Sequence, residues 1–166
     1  MDSPHPFRNL LQVWWLVAAV VVVDHLTKWW ALRELDDGRV ITIVPTLEFD
    51  LTFNRGFSFG TAGRFGPWIG ALVVGVCVLL IAAIRRAPRI GQARILALIL
   101  GGALGNLIDR AFRADDGFLT GEVVDFIDVT WYAVFNVADI CVVCGSVLLV
   151  VAELHANREP QPEVPG

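Results

Sequence analysis

Four long apolar stretches dominate this chain, and each has the length that hydrocarbon demands of a crossing segment. They cover residues 10–30, 67–84, 93–109 and 133–151. The second carries no charge at all, and its 18 residues would reach about 27 Å as a helix, just enough to cross. Composition agrees with lipid as the solvent. Hydrophobic residues make up 55% and charged residues 18%, against roughly 25% charged in soluble domains. The expected fold class is a membrane all-α bundle of four transmembrane helices with a small extracytoplasmic β-rich segment. It forms one domain over residues 1–156, with a disordered cytoplasmic tail over 157–166, rich in proline and glutamate.

The loops fix the expected orientation. Between the second and third stretches lie Arg85, Arg86, Arg89 and Arg94 with no acid among them. Between the third and fourth, Asp115, Asp116, Glu122, Asp125 and Asp128 face Arg113 alone. Positive-inside bias puts the arginine loop in the cytoplasm. An even number of spans then puts both termini there, and segments 31–66 and 111–132 outside. The first stretch is expected to be retained, because it has no small-x-small cleavage site and runs into Asp24, His25 and Lys28. Trp29 and Trp30 fit an interfacial belt at its outer end. In the outer segment, Ile41, Val44, Leu47, Phe49, Leu51 and Phe53 partly alternate with polar neighbours, which predicts short strands. Gly56, Gly60, Gly63 and Gly66 then interrupt any long element.

Polar residues inside the spans carry the functional information, since a charge in hydrocarbon costs on the order of 2.5–3.5 kcal/mol. Asp24 and Lys28 come late in the outward first span, and Asn106, Asp109 and Arg110 end the outward third. Asn136 and Asp139 open the inward fourth. All therefore sit at similar depth, near the outer face. Asn106 and Asp109 share a helix face, as do Asn136 and Asp139. Asp24 and Lys28 have the spacing of a helical ion pair and read equally well as a neutralised anchor. Asp109 and Arg110 read also as a helix end meeting headgroups. Asp139 has no basic neighbour in its own span. Gly101 and Gly105 form a G-x-x-x-G that lets another helix approach closely. Cys141 and Cys144 lie in an apolar run with no histidine beside them, so they read as packing.

Two carboxylates close together cannot both ionise easily, so one holds a proton. One then activates water and the other polarises a carbonyl, which is aspartyl proteolysis. Other chemistries fit poorly. His5, His25 and His155 do not assemble a triad, and Lys28 has only Ser58 as an outward serine. No H-E-x-x-H or histidine cluster offers a zinc site. A net charge of -4 argues against nucleic acid as partner. The alternative is a small membrane transporter or channel with a polar site in the outer leaflet, but its polar groups should line a path across the membrane.

The ordered blocks Asp24-His25-Leu26-Thr27-Lys28, Asn54-Arg55-Gly56-Phe57-Ser58-Phe59-Gly60, Gly101-Gly102-Ala103-Leu104-Gly105-Asn106-Leu107-Ile108-Asp109-Arg110, Val124-Asp125-Phe126 and Phe135-Asn136-Val137-Ala138-Asp139 span most of the chain. In these blocks the sequence resembles bacterial lipoprotein signal peptidase, the type II signal peptidase. Ser58 stands where alanine is common in that family. The resemblance implies a catalytic pair of Asp125 and Asp139. It implies binding or support roles for Asn54, Gly56, Asn106, Arg110 and Asn136, and structural or orienting roles for Asp24, Lys28 and Asp109. It further implies a diacylglyceryl-modified prolipoprotein as substrate, cleaved before its lipidated cysteine, with membrane lipid as the other partner. The enzyme would sit in the bacterial cytoplasmic (inner) membrane with its site near the outer face. No metal or organic cofactor is implied, and one bundle suffices as a monomer.

Overall fold

A computed structural model of the chain describes residues 6–54, 62–114 and 117–156. The elements run α1 (Pro6–Glu34), β1 (Ile41–Val44), β2 (Leu47–Asn54), α2 (Ala62–Arg86), α3 (Ile90–Phe112), β3 (Val123–Asp128) and α4 (Val137–Ala156). All four helices are long and apolar enough to cross a membrane. Lipid offers the backbone no hydrogen-bond partner, so apolar stretches of this length close their bonds internally as helices. Their outer surfaces stay apolar: Leu72, Leu79, Val143, Val147 and Val150 are exposed. The proposed tail over 157–166 lies outside the described residues.

Helix α3 is the centre of the bundle and packs on α1, α2 and α4. Half of its most apolar window, 50%, is buried in protein, against 11% for α4. Small residues make this possible. Gly101 lies on Val17 and Val20 of α1, while Gly102 lies against the Ala138 carbonyl of α4. The glycine stripe therefore serves two partner helices rather than one. A Cβ at Gly105 would stand 2.5 Å from Asp24 Oδ2 and 3.4 Å from Ala138 Cβ. That glycine lets both helices close on the polar end of α3. Below it, Val13, Val17, Cys77, Ile84, Leu96, Ala97 and Leu100 form the apolar core. At the arginine-rich end, Arg94 Nη2 donates to Gln12 Oε1 and Gln92 Nε2 to Glu153 Oε1, each at 2.8 Å.

The strands form one antiparallel sheet in the order β1-β2-β3. The short strands expected between residues 31 and 66 are β1 and β2. The third, β3, comes from the segment 111–132, for which no strand was expected. Its sequence Val-Val-Asp-Phe-Ile-Asp is rich in β-branched and aromatic residues, which suit a pleated surface. Successive side chains of β3 point to opposite faces. Phe126 meets Trp30 and Phe49 with ring centroids 6.1 Å away in each case, and those two rings stand 5.3 Å from each other. Asp125 consequently faces the other way. Trp30 thus anchors the sheet to α1 and is half-buried, whereas Trp29 is exposed as expected of a belt residue.

Helix α4 starts at Val137, later than the expected residue 133. Phe135 exchanges backbone hydrogen bonds with Ile127 at 2.8 and 3.0 Å, which holds it on the sheet side. Asn136 then caps the helix.

Candidate active site

The N-terminal end of α4 is built by its own polar residues. Asn136 Oδ1 accepts the Asp139 N–H at 3.0 Å, and Asp139 Oδ2 accepts the Asn136 N–H at 3.2 Å. This is a reciprocal capping box made from an asparagine and an aspartate. The next orphan donor, the Ala138 N–H, goes to Asp24 Oδ1 of α1 at 3.0 Å. Three side chains thus satisfy donors that a helix end leaves unpaired. They also pin α1 to α4.

Behind the cap lies a buried charge cluster. Lys28 Nζ stands 2.8 Å from Asp24 Oδ2, 2.9 Å from Asp109 Oδ2 and 2.9 Å from Asn106 Oδ1. Two carboxylates thus stand at ion-pair distance from the ammonium, and the Asn106 oxygen accepts its hydrogen bond. Lys28 is 2% exposed and Asp24 0%, so each needs the other. Asp109 also accepts the Val124 N–H at 3.3 Å and pairs with Arg113 Nε at 3.3 Å. It ties the end of α3 to β3. Asp24, Lys28 and Asp109 are thus joined in one network across α1 and α3.

In front of the cluster stand two more carboxylates. Asp125 is on β3, and register pairs Asn54 of β2 with Val123, so Asn54 is its diagonal neighbour. Asn54 Nδ2 donates to Asp125 Oδ2 at 2.9 Å and Asn136 Nδ2 to Oδ1 at 2.6 Å. Asn106 Nδ2 donates to Asp139 Oδ1 at 2.8 Å, and Asn136 Nδ2 also reaches Asn106 Oδ1 at 3.1 Å. Two carboxamides therefore link Asp125 to Asp139. Every oxygen of the two acids accepts an N–H from a neutral amide, and neither acid forms an ion pair among the described residues. Asp125 is 1% exposed, and burial lifts its carboxyl from 3.8 to about 6. The charge of Asp139 pushes the same way; the Asn54 and Asn136 hydrogen bonds and the more distant Lys28 charge oppose it. Asp139 is half-buried, at the edge of the cluster.

Arg110 is buried, with Nη1 3.4 Å from the Gly121 carbonyl, while the Gly121 N–H returns to the Arg110 carbonyl at 3.0 Å. Its charge acts on Asp125, Asp109 and Asp139. A Cβ at Gly121 would lie within 2.8 Å of the Arg110 carbonyl oxygen and 2.7 Å of the Arg113 carbonyl carbon. This glycine escaped the sequence reading; its only signal is its place just before the β-branched run of β3. The other omission was the strand itself, which turns Asp125 from a loop residue into one held in register. Gly56 lies outside the described residues, as does Ser58. Asp24, Lys28, Asn54, Asn106, Asp109, Arg110, Asp125, Asn136 and Asp139 are gathered at one end of the bundle.

The fold and this constellation define a class: a polytopic membrane protein with a carboxylate site at one end of its spans. Residues 16–155 match the family model for signal peptidase (SPase) II. The lipoprotein signal peptidase of Bifidobacterium longum subsp. infantis is 44% identical over 138 residues, covering 82% of this chain and 74% of that one. That of Rhodococcus jostii is 41% identical over 152 residues, covering 90% and 75%. A bacterial membrane enzyme solved by the in meso method at 2.3 Å superposes with a TM-score of 0.76 over 93% of this chain and 94% of the other; at 23% identity it bears on the fold alone. The chain belongs to the signal peptidase II family and is a membrane peptidase.

Proposed function

We propose that the chain is an aspartyl endopeptidase that removes signal peptides from diacylglyceryl-modified prolipoproteins, cutting immediately before the lipidated cysteine. The relatives' name, lipoprotein signal peptidase, supports the substrate class. One contrast carries the choice of catalytic pair. Asp24 and Asp109 are paired with the cations Lys28 and Arg113, whereas Asp125 and Asp139 accept hydrogen bonds only from neutral N–H donors. A neutralised acid serves structure, and an acid without a counter-ion is free to trade protons.

In this mechanism the pair shares one proton. Asp125, the more buried acid, holds it at first, and Asp139 is the base. Asp139 takes a proton from a water set between the two carboxyls, and the resulting hydroxide attacks the scissile carbonyl carbon. Asp125 gives its proton to the carbonyl oxygen, leaving a tetrahedral diol. The roles then exchange. Asp125 recovers a proton from the diol, Asp139 protonates the departing amide nitrogen, and the C–N bond breaks. Arg110 and Asn54 border this space, in keeping with substrate-positioning roles.

Diacylglycerol on the substrate would act mainly through placement. Each buried CH₂ contributes about 0.8 kcal/mol, but a bilayer gives most of that to any anchored chain, so the gain lies in presenting the scissile bond correctly. The expected result is a kcat/KM at least ~10-fold higher for diacylglyceryl prolipoprotein than for the unmodified form. Equal values in the same vesicles would remove lipid from the recognition.

The arginine loop supports an inner-membrane orientation with both termini cytoplasmic and the site near the outer face. Cysteines placed singly at Gly38 and Gly91 test this. An impermeant thiol reagent added outside intact cells should label the first and spare the second. Labelling at Gly91 with none at Gly38 reverses the orientation.

A further inference from the structure

Lys28 touches neither carboxylate of the pair, yet its hydrogen bond to Asn106 ends one step from Asp139. The Asn106 carboxamide has a donor end and an acceptor end, and its surroundings decide which way it points. Lys28 Nζ and Asn136 Nδ2 both donate to its oxygen, at 2.9 and 3.1 Å. Asn136 cannot turn over without cost, because its own oxygen accepts the Asp139 backbone N–H at 3.0 Å. A charged ammonium has no lone pair to offer. A flipped Asn106 would set its NH₂ against two donors and its oxygen against Asp139. With the oxygen held, Nδ2 must face Asp139 Oδ1, where it lies at 2.8 Å.

Resting on the dyad proposed above, we infer that Lys28 is a positioning residue: through the Asn106 carboxamide it aims an N–H at Asp139 and so fixes the rotamer in which that acid meets water. The charged groups around the relay are Asp24 on α1, Asp109 and Arg110 on α3, Asp125 on β3 and Asp139 itself on α4. Asp24 and Asp109 hold the ammonium in place from either side, and Asn106 carries its effect forward. The cluster thus does more than neutralise charge within the bundle.

A double-mutant cycle in lipid nanodiscs tests the relay, with diacylglyceryl prolipoprotein as substrate and rates normalised to folded enzyme. Lys28→Met should lower kcat by roughly 10- to 100-fold with KM within about threefold, as expected when a reacting group is misplaced. Lys28→Gln keeps an N–H for the Asn106 oxygen and should recover part of that loss. In an Asn106→Ala background, where the relay is already cut, Lys28→Met should lower kcat by less than about threefold. The same factor in both backgrounds overturns the inference and leaves Lys28 as an anchor only. Should Lys28→Met not fold, Lys28→Leu combined with Asp24→Asn, which removes the orphaned buried charge, is compared with Asp24→Asn alone in the two backgrounds. Asp125→Asn and Asp139→Asn run alongside: turnover in those variants defeats the dyad, whereas their inactivity with an additive Lys28 effect defeats the relay alone.

Discussion

Asp139→Asn is expected to lower kcat at least ~100-fold while the protein still inserts, folds and binds lipidated substrate. Asparagine has nearly the size of aspartate and keeps one oxygen for either the Asn136 or the Asn106 N–H, but it cannot take a proton from water. Asp125→Asn should fail as badly for the opposite reason, since it cannot return a proton to the carbonyl oxygen. The double variant should lose little more than either single one, because two groups that share one step do not contribute additively. The pH profile carries the same information. The carboxyl of Asp125 lies at about 6, above its ordinary 3.8, chiefly through burial. As pH rises through the upper apparent value of the pair, the shared proton leaves, the acid is lost, and kcat should fall. A raised folded value also means that stability from the protonated carboxyl is present below 3.8 and lost as pH rises through about 6. Asp125→Asn removes that ionisation cost at pH 7.5 but sets an NH₂ against the Asn54 or the Asn136 donor, so its turnover is expressed per folded molecule to separate lost chemistry from misfolding. Near-normal turnover by Asp139→Asn, measured on purified folded protein, would defeat the pair and turn attention to Asp24 and Asp109.

Asp24→Ala should act on the fold instead. It removes the acceptor of the Ala138 N–H and one of the two carboxylates around Lys28. Breaking a buried pair by deleting one partner costs on the order of 3–5 kcal/mol, because the other charge stays buried. Asp24→Asn keeps an acceptor for Ala138 and should cost less. Thermal unfolding in one detergent, with turnover expressed per folded molecule, separates the two effects. The expected outcome is a marked fall in Tm for Asp24→Ala, a smaller one for Asp24→Asn, and far less change in turnover than Asp139→Asn produces. An unchanged Tm in Asp24→Ala would mean that neither the cap nor the ion pair contributes.

Much of this was visible in the chain itself, for a physical reason. Hydrocarbon makes each span long and apolar, so the spans, and the gathering of Asp24, Asn106 and Asp139 at one end of them, could be read directly. Three-residue spacing placed Asn136 and Asp139 on one face, and the structure turns that spacing into a capping box. What the residues could not reveal was pairing between distant elements. Lys28 was legible as a partner of Asp24, but its bonds to Asp109 and Asn106 depend on how α1 and α3 cross, which Gly105 permits. Asp109 looked like the end of a helix beside Arg110, whereas it reaches Lys28, Arg113 and the Val124 N–H. Strand β3 was hidden because six residues in an acidic loop give little periodicity, and its partner β2 lies some seventy positions earlier. Trp30 resembled a belt residue because local sequence cannot distinguish a ring that meets lipid from one that meets Phe49 and Phe126.

In the proposed reaction this carboxylate pair cuts a prolipoprotein just before its lipidated cysteine. The direct measurement is mass spectrometry of both products after purified protein, in lipid nanodiscs, has acted on a diacylglyceryl prolipoprotein. The account predicts a free signal peptide and a mature chain whose new N-terminus is the diacylglyceryl cysteine, with neither product formed by Asp139→Asn. Cleavage at another bond, or the same products from Asp139→Asn at the parent rate, would contradict it.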